Sequence, residues 1–112
     1  MEENIKQQIE KELSSNEVCL FMKGTPDVPQ CGFSLAVSNV LKHLNVKFKG
    51  INVLENNDIR NGIKTYSDWP TIPQLYIKGE FIGGCDIVKE MFESGDLQKI
   101  LKEKDISFAQ KN

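Results

Sequence analysis

Apolar residues change their spacing several times along the chain, and each change marks an element. Ile5, Ile9 and Leu13 fall four apart, one narrow apolar stripe of an N-terminal helix that Ser14-Ser15-Asn16 breaks. Val18-Cys19-Leu20-Phe21-Met22 is an unbroken apolar run of strand length, the pattern of a strand covered on both faces. A polar loop from Lys23 to Gln30, carrying Gly24, Pro26 and Pro29, follows it. From Cys31 onward, helical spacing returns at Phe33, Val37, Val40, Leu41 and Leu44, so a second helix begins at or beside Cys31. Val46-Lys47-Phe48-Lys49 alternates and continues through Ile51 and Val53 as a second strand. Asn57 or Asp58 is placed to cap a third helix with Ile59, Ile63 and Tyr66 on one face. Trp69-Pro70-Thr71-Ile72-Pro73 cannot be helical through both prolines. Leu75-Tyr76-Ile77, a Lys78-Gly79 turn and Phe81-Ile82 read as a β-hairpin. Gly83-Gly84-Cys85-Asp86 then leads into a helix that buries Ile87, Val88, Met91 and Phe92, with Asp86 as its N-cap. Gly95 ends that helix, Leu97, Ile100 and Leu101 mark one more, and the tail after Lys102 reads as polar and frayed.

The order α-β-α-β-α-β-β-α-α implies a small sheet with parallel and antiparallel pairs, flanked by helices. A cysteine opening the helix after the first strand, and an Ile-Pro before the hairpin, point to an α/β, thioredoxin-like fold with a four-stranded mixed sheet. At 112 residues there is room for one core, and no repeat or linker interrupts the chain, so residues 1–112 read as one domain with a polar tail from about 103. The formal charge of −2 and a pI near 5.4 give no global attraction to nucleic acid or to an anionic membrane, so any basic site must be local. No stretch is long and apolar enough to span a bilayer. The acidic start, Met1-Glu2-Glu3-Asn4, resembles neither a secretory signal nor an Arg-rich transit peptide. The expectation is a cytoplasmic protein, although a processed organellar form would look the same.

Candidate chemistry centres on cysteine. The chain has Cys19, Cys31 and Cys85, and its single histidine is His43. An odd count argues against a disulfide framework and favours reactive or metal-binding thiols among inert ones. Without a Cys-x-x-Cys pair, a closed zinc site would need all three cysteines and His43 at a spacing that does not suit it. Cys19, inside an apolar strand, reads as buried and inert. Cys31 instead opens a strongly periodic helix, where a thiolate meets unpaired backbone N–H groups and the positive end of the helix dipole. Lys23, at the exit of the first strand, adds a positive charge nearby. A dithiol oxidoreductase needs a resolving cysteine three residues further on, and Ser34 occupies that place. Ser34 is either a helix-start residue or a hydrogen-bond donor to the Cys31 sulfur. Two-thiol disulfide reduction is thereby disfavoured, unless Cys85 resolves. His43 reads as a surface residue near a helix end, and Trp69 and Phe33 as core or platform residues.

Lys23-Gly24-Thr25-Pro26, Cys31-Gly32-Phe33-Ser34, Trp69-Pro70-Thr71-Ile72-Pro73-Gln74 and Gly83-Gly84-Cys85-Asp86, in that order and spacing, resemble the CGFS-type monothiol glutaredoxins over nearly the whole chain. The resemblance implies a thioredoxin fold that binds glutathione and assembles a [2Fe–2S] cluster between two protomers for transfer in iron–sulfur protein biogenesis. Two sulfide-bridged tetrahedral irons need four terminal ligands. Cys31 of each chain would give two of them, and the thiols of two glutathiones the others. By the same resemblance, Lys23, Arg60, Thr71, Ile72, Cys85 and Asp86 form the glutathione site. Lys23 and Arg60 match positions that contact the glycyl carboxylate. The Ile72 backbone, before a cis Pro73, would pair with the cysteinyl unit, and Asp86 would meet the γ-glutamyl ammonium. Phe33 would help shield the cluster. Taken alone, these residues have ordinary readings too: solvated cations, a rigid turn, a glycine-rich turn with an Asp cap. Cys85 is open between a backbone contact, a slow second thiol and packing. The resemblance further implies a homodimer when cluster-bound, recipient apoproteins and a BolA-type partner. Two rival activities accompany it: glutathione-dependent disulfide reduction (deglutathionylation) with Cys31 as nucleophile, and a regulatory module that uses its cluster to recruit a partner.

Overall fold

The unbroken apolar run becomes strand β1 (Val18–Met22), whose five residues are all buried in the computed structural model, which describes residues 1–109. β1 lies inside a four-stranded sheet of order β2-β1-β3-β4, where β2 is Lys49–Asn52, β3 is Gln74–Ile77 and β4 is Glu80–Gly83. β2 pairs with it in parallel, setting Phe21 opposite Ile51, and β3 pairs antiparallel, setting Leu20 opposite Leu75. Successive side chains leave opposite faces of a strand, so β1 feeds two cores. Val18, Leu20 and Met22 pack with Val37, Leu41 and Leu44, with Val88, and with Leu97 and Leu101. These come from α2 (Gly32–His43), α4 (Cys85–Ser94) and α5 (Asp96–Glu103), apart from Leu44 just beyond α2. Cys19 and Phe21 pack with Ile5, Ile9 and Leu13 of α1 (Glu3–Ser15) and Ile59 and Ile63 of α3 (Asn57–Ser67). The fold is thus the expected thioredoxin-like one: a mixed sheet with helices on both faces. The Lys78-Gly79 hairpin turn has both residues at positive φ, which matches the twist of the flanking strands.

Four local readings are corrected by tertiary contacts. Val46 and Phe48 stand outside β2. The Val46 N–H donates to the Leu41 carbonyl at 3.0 Å, and Asn45 turns left-handed at φ 55°, so this stretch is still closing α2 when pairing would begin. The cap of α3 is Asn56, one residue before the expected pair, and its side chain accepts the N–H groups of Asp58 and Ile59 at 3.0 and 3.1 Å. Likewise Gly84 is the N-cap of α4, and Asp86 sits in the first turn, where its charge still suits the helix dipole.

The fourth correction concerns the tail. Residues 103–109 are docked, not frayed. Ile106 is 7% exposed and Phe108 packs on the same core. The Ala109 N–H donates to the Leu44 carbonyl at 2.7 Å, the Asn45 side-chain amide donates to the Ala109 carbonyl at 2.8 Å, and Lys104 pairs with Glu80 at 2.7 Å. Two apolar side chains separated by Ser107 bury one face of a short extended piece, a pattern too brief to stand out between polar neighbours. The reading of 110–112 as tail lies outside the described residues. Ile106→Ala should therefore lower unfolding stability by about 2–4 kcal/mol, measured by urea titration, whereas a frayed tail would leave it unchanged.

Candidate functional site

The loop between β1 and α2 is pinned at both ends. The Gly24 N–H donates to the Asn52 side chain at 2.9 Å, the Gln30 N–H donates to the Lys23 carbonyl at 2.9 Å, and Thr25 and Val28 exchange backbone hydrogen bonds. Gly24 lies at φ +89°, and a Cβ there would stand 2.5 Å from the Val28 oxygen, so no other residue closes this turn unstrained. The Lys42 ammonium of α2 holds the Pro26 carbonyl. The closed loop delivers Cys31 to the N-cap of α2 in extended conformation, half-exposed.

The Cys31 sulfur makes no short capping bond, but the helix N-terminus still acts on it. The backbone N–H of Ser34 is the largest influence holding its pKa below the usual thiol value. Desolvation by burial opposes it, and the Phe33 N–H, the Lys23 charge and the Ser34 hydroxyl add to the lowering. The other two thiols are displaced oppositely. Burial pushes Cys85 up, Asp86 and the Cys31 sulfur add to that rise, and Lys89 opposes it. Burial pushes Cys19 up to about 11, and its S–H donates to the Glu12 carbonyl at 3.3 Å.

Cys31 opens onto a cavity of about 450 Å³ whose walls come from five segments. Lys23 contributes from the exit of β1, Cys31 and Phe33 from the start of α2, and Lys64 from α3. The 69–73 loop and residues 84–87 at the start of α4 complete it. The N-termini of two helices thus border one space, an arrangement that favours anionic groups. The Ile72–Pro73 peptide bond is cis, as expected. Behind the loop, buried Gln74 donates its amide to the Trp69 and Thr71 carbonyls at 3.0 and 3.2 Å and accepts the Tyr76 hydroxyl at 3.1 Å. Gly84 leaves room for the loop, since a Cβ there would stand 3.1 Å from the Trp69 indole nitrogen. That nitrogen is buried without a partner among the described residues.

Of the residues singled out in the sequence, Lys23, Cys31, Thr71, Ile72, Cys85 and Asp86 all line this cavity. Arg60 does not. The α3 cation on the wall is Lys64, one turn further along the same helix. Residues four apart share a helix face, so the sequence offered both cations and only packing chose between them. Gln74 was missed as a support because its role is in its burial. His43 is exposed and meets Phe92 edge-on, away from the cavity lining. Chemically, the site offers separated cations at Lys23 and Lys64, an anion at Asp86, a backbone edge at Ile72 and one thiol biased toward thiolate.

That bias has a kinetic signature. At neutral pH, peptide-resolved alkylation with iodoacetamide should modify Cys31 first, Cys85 more slowly and Cys19 only on unfolding. Because the Cys31 pKa is lowered, its reaction should persist to lower pH than that of an ordinary cysteine before protonation stops it. Faster modification of Cys85 would contradict the assignment.

Comparison with known proteins agrees with this geometry. The Glutaredoxin family model matches residues 18–82. Over 95 residues the chain is 57% identical to the chloroplastic monothiol glutaredoxin-S14 of Arabidopsis thaliana, covering 85% of this chain and 55% of that protein. Over another 95-residue match it is 53% identical to probable monothiol glutaredoxin 2 of Rickettsia typhi, covering 85% and 86%. It thus spans little more than half of the plant relative and most of the bacterial one. Among solved structures, reduced apo GrxS14 of poplar superposes with a TM-score of 0.81 at 53% identity, covering 89% of this chain and 92% of that one. A buckwheat glutaredoxin–glutathione complex superposes with a TM-score of 0.79 at 27% identity, covering 94% and 96%. With a single biased thiol at the start of α2 and Ser34 where a second would stand, this chain belongs to the glutaredoxin family, among its monothiol members.

Proposed function

We propose that this chain binds glutathione in the Cys31 cavity and, as a pair of protomers, carries a [2Fe–2S] cluster for delivery to recipient apoproteins. The observation that carries this reading is one thiol biased toward thiolate, beside a charged cavity, with no cysteine at position 34. Glutathione has two carboxylates, an ammonium and a thiol. Lys23 and Lys64 suit a carboxylate, the start of α4 suits the other, Asp86 suits the ammonium, and the Ile72 backbone suits the peptide. The buckwheat relative solved with glutathione, of the same fold, supports this choice of ligand.

The donor chemistry favours sharing. Among the described residues, no three His, Cys, Asp or Glu side chains gather to hold a metal ion. A [2Fe–2S] cluster takes four terminal ligands, so two Cys31 sulfurs and two glutathione thiols complete the set. Near Cys31 in sequence, Val28, Phe33 and Leu35 are 59%, 64% and 44% exposed, apolar area that a second copy would cover. A cluster held this way has two small-molecule ligands and suits transfer. The lowered Cys31 pKa also supports a second reading, reduction of glutathionyl mixed disulfides with a second glutathione as resolver. Turnover matching that of a dithiol glutaredoxin would put it first.

Anaerobic reconstitution with iron, sulfide and glutathione should give a coloured dimer, and Cys31→Ser should give none; a colourless monomer from the parent chain rejects the cluster reading. Trp69 is the only tryptophan and lines the cavity, so its emission should report glutathione binding. Lys64→Ala should weaken that binding about fivefold, and Arg60→Ala by less. The reverse order would return the carboxylate to Arg60.

A further inference from the structure

The loop that carries Thr71 and Ile72 to the cavity wall is held from behind by one buried side chain. Pro70 and Pro73 bring no backbone N–H, so the loop cannot join the sheet as a regular strand, and its carbonyls need donors from elsewhere. The Trp69 N–H donates to the Ser67 hydroxyl oxygen and to the Lys64 carbonyl, both at 3.1 Å, which ties the loop's entry to the end of α3. The Gln74 amide donates to the carbonyls of Trp69 and Thr71 at 3.0 and 3.2 Å. Gln74 is fully buried, so solvent takes no part in this exchange.

An amide has two ends, and here chemistry fixes which end faces the loop. Carbonyl oxygens only accept, so the NH2 group must face them and the Gln74 oxygen must face away. That oxygen is buried too and needs a donor. The Tyr76 hydroxyl supplies one at 3.1 Å. Residues 74 and 76 leave the same face of β3, which is why the two side chains meet. The buried Tyr76 ring is itself packed edge-on against Phe21, with centroids 5.6 Å apart, and tilted against Phe81 at 5.4 Å. The hydroxyl thus has a fixed origin in the core. Neither Gln74 nor Tyr76 lines the cavity.

We infer that Tyr76 is a positioning residue of the cavity: its hydroxyl orients the Gln74 amide, which holds the Trp69 and Thr71 carbonyls and so sets the loop against which ligand binds. This rests on the proposed glutathione site for its ligand, but not for its effect on the loop. A phenylalanine at position 76 would keep the ring and leave the Gln74 oxygen buried without a donor. Turning the amide over gives no remedy, because its oxygen would then face two carbonyl oxygens. The remaining route is to draw water in behind the loop, which loosens the bonds to Trp69 and Thr71.

Both readings of the test use the emission of Trp69. Acrylamide quenching of the ligand-free chain reports how firmly the loop is held, and titration with reduced glutathione reports affinity. Tyr76→Phe should raise the quenching constant about twofold and weaken glutathione about threefold, the size of effect that one hydrogen bond gives. In a Gln74→Met background, which has no amide to orient, the same substitution should move neither reading further. Tyr66→Phe, which removes a hydroxyl from a ring 6.3 Å from that of Tyr76, should leave both at the parent values. Quenching unmoved by Tyr76→Phe overturns the inference. So does an undiminished effect in the Gln74→Met background, because that pattern is one of packing alone. If Gln74→Met does not fold, the two tyrosine variants decide, and equal effects overturn the inference. A parent chain that binds no glutathione rejects the proposed function, while quenching still judges Tyr76.

Discussion

The N-terminus of a helix leaves backbone N–H groups without partners, and the site is built on what is offered to them. At the start of α2 the Ser34 and Phe33 N–H groups act on the sulfur of Cys31, which gains most from them when it is ionised. A proton on that sulfur and a positive helix end oppose each other, so the helix itself keeps the thiol poised. Lys23 reinforces the effect from the strand side, and together these influences outweigh the desolvation that partial burial imposes on Cys31. The same physics reversed explains the quiet thiols. Cys19 sits in the core without such an N-terminus, and Cys85 meets desolvation and negative neighbours.

That arrangement holds only if the helix start stays where it is. β1, gripped on both faces, fixes the level at which the chain leaves the sheet. The pinned 24–30 loop brings the chain back, with Gly24 making a turn that a side chain would obstruct. Across the cavity, Gln74 does for the 69–71 loop what Asn52 does for Gly24: a side-chain amide saturates backbone groups that a loop leaves free. The opposing walls are therefore tied to the sheet, and the binding space is a consequence of the strands' spacing.

Charge is distributed with equal economy. The chain is slightly acidic overall, yet the cavity collects two lysines and two helix N-termini around one carboxylate. A small anion that also carries an ammonium would meet groups of complementary charge there. Val28, Phe33 and Leu35, near Cys31 in sequence, leave apolar area exposed.

The chain's linear pattern determined its elements, the buried β1, the cysteine at a helix start and four of the five segments that meet at the cavity. All of these depend on residue type and on short-range period. Tertiary structure decided the rest. Arg60 and Lys64 lie on one face of α3 and are equivalent by spacing, and only tertiary packing put Lys64 on the wall. The cap of α3 is Asn56, whose side chain reaches the Asp58 and Ile59 N–H groups, and Phe48 stays out of β2 because the turn that closes α2 still occupies Asn45 and Val46. Ile106 and Phe108 became core once Leu44 and Asn45 offered hydrogen bonds to Ala109, contacts from 64 residues away for Asn45. Ser34 shows the division most clearly. Its identity, a hydroxyl where a thiol might stand, was legible at once, but its bond to Lys23 spans eleven residues and exists only because the sheet and the helix bring those two points together.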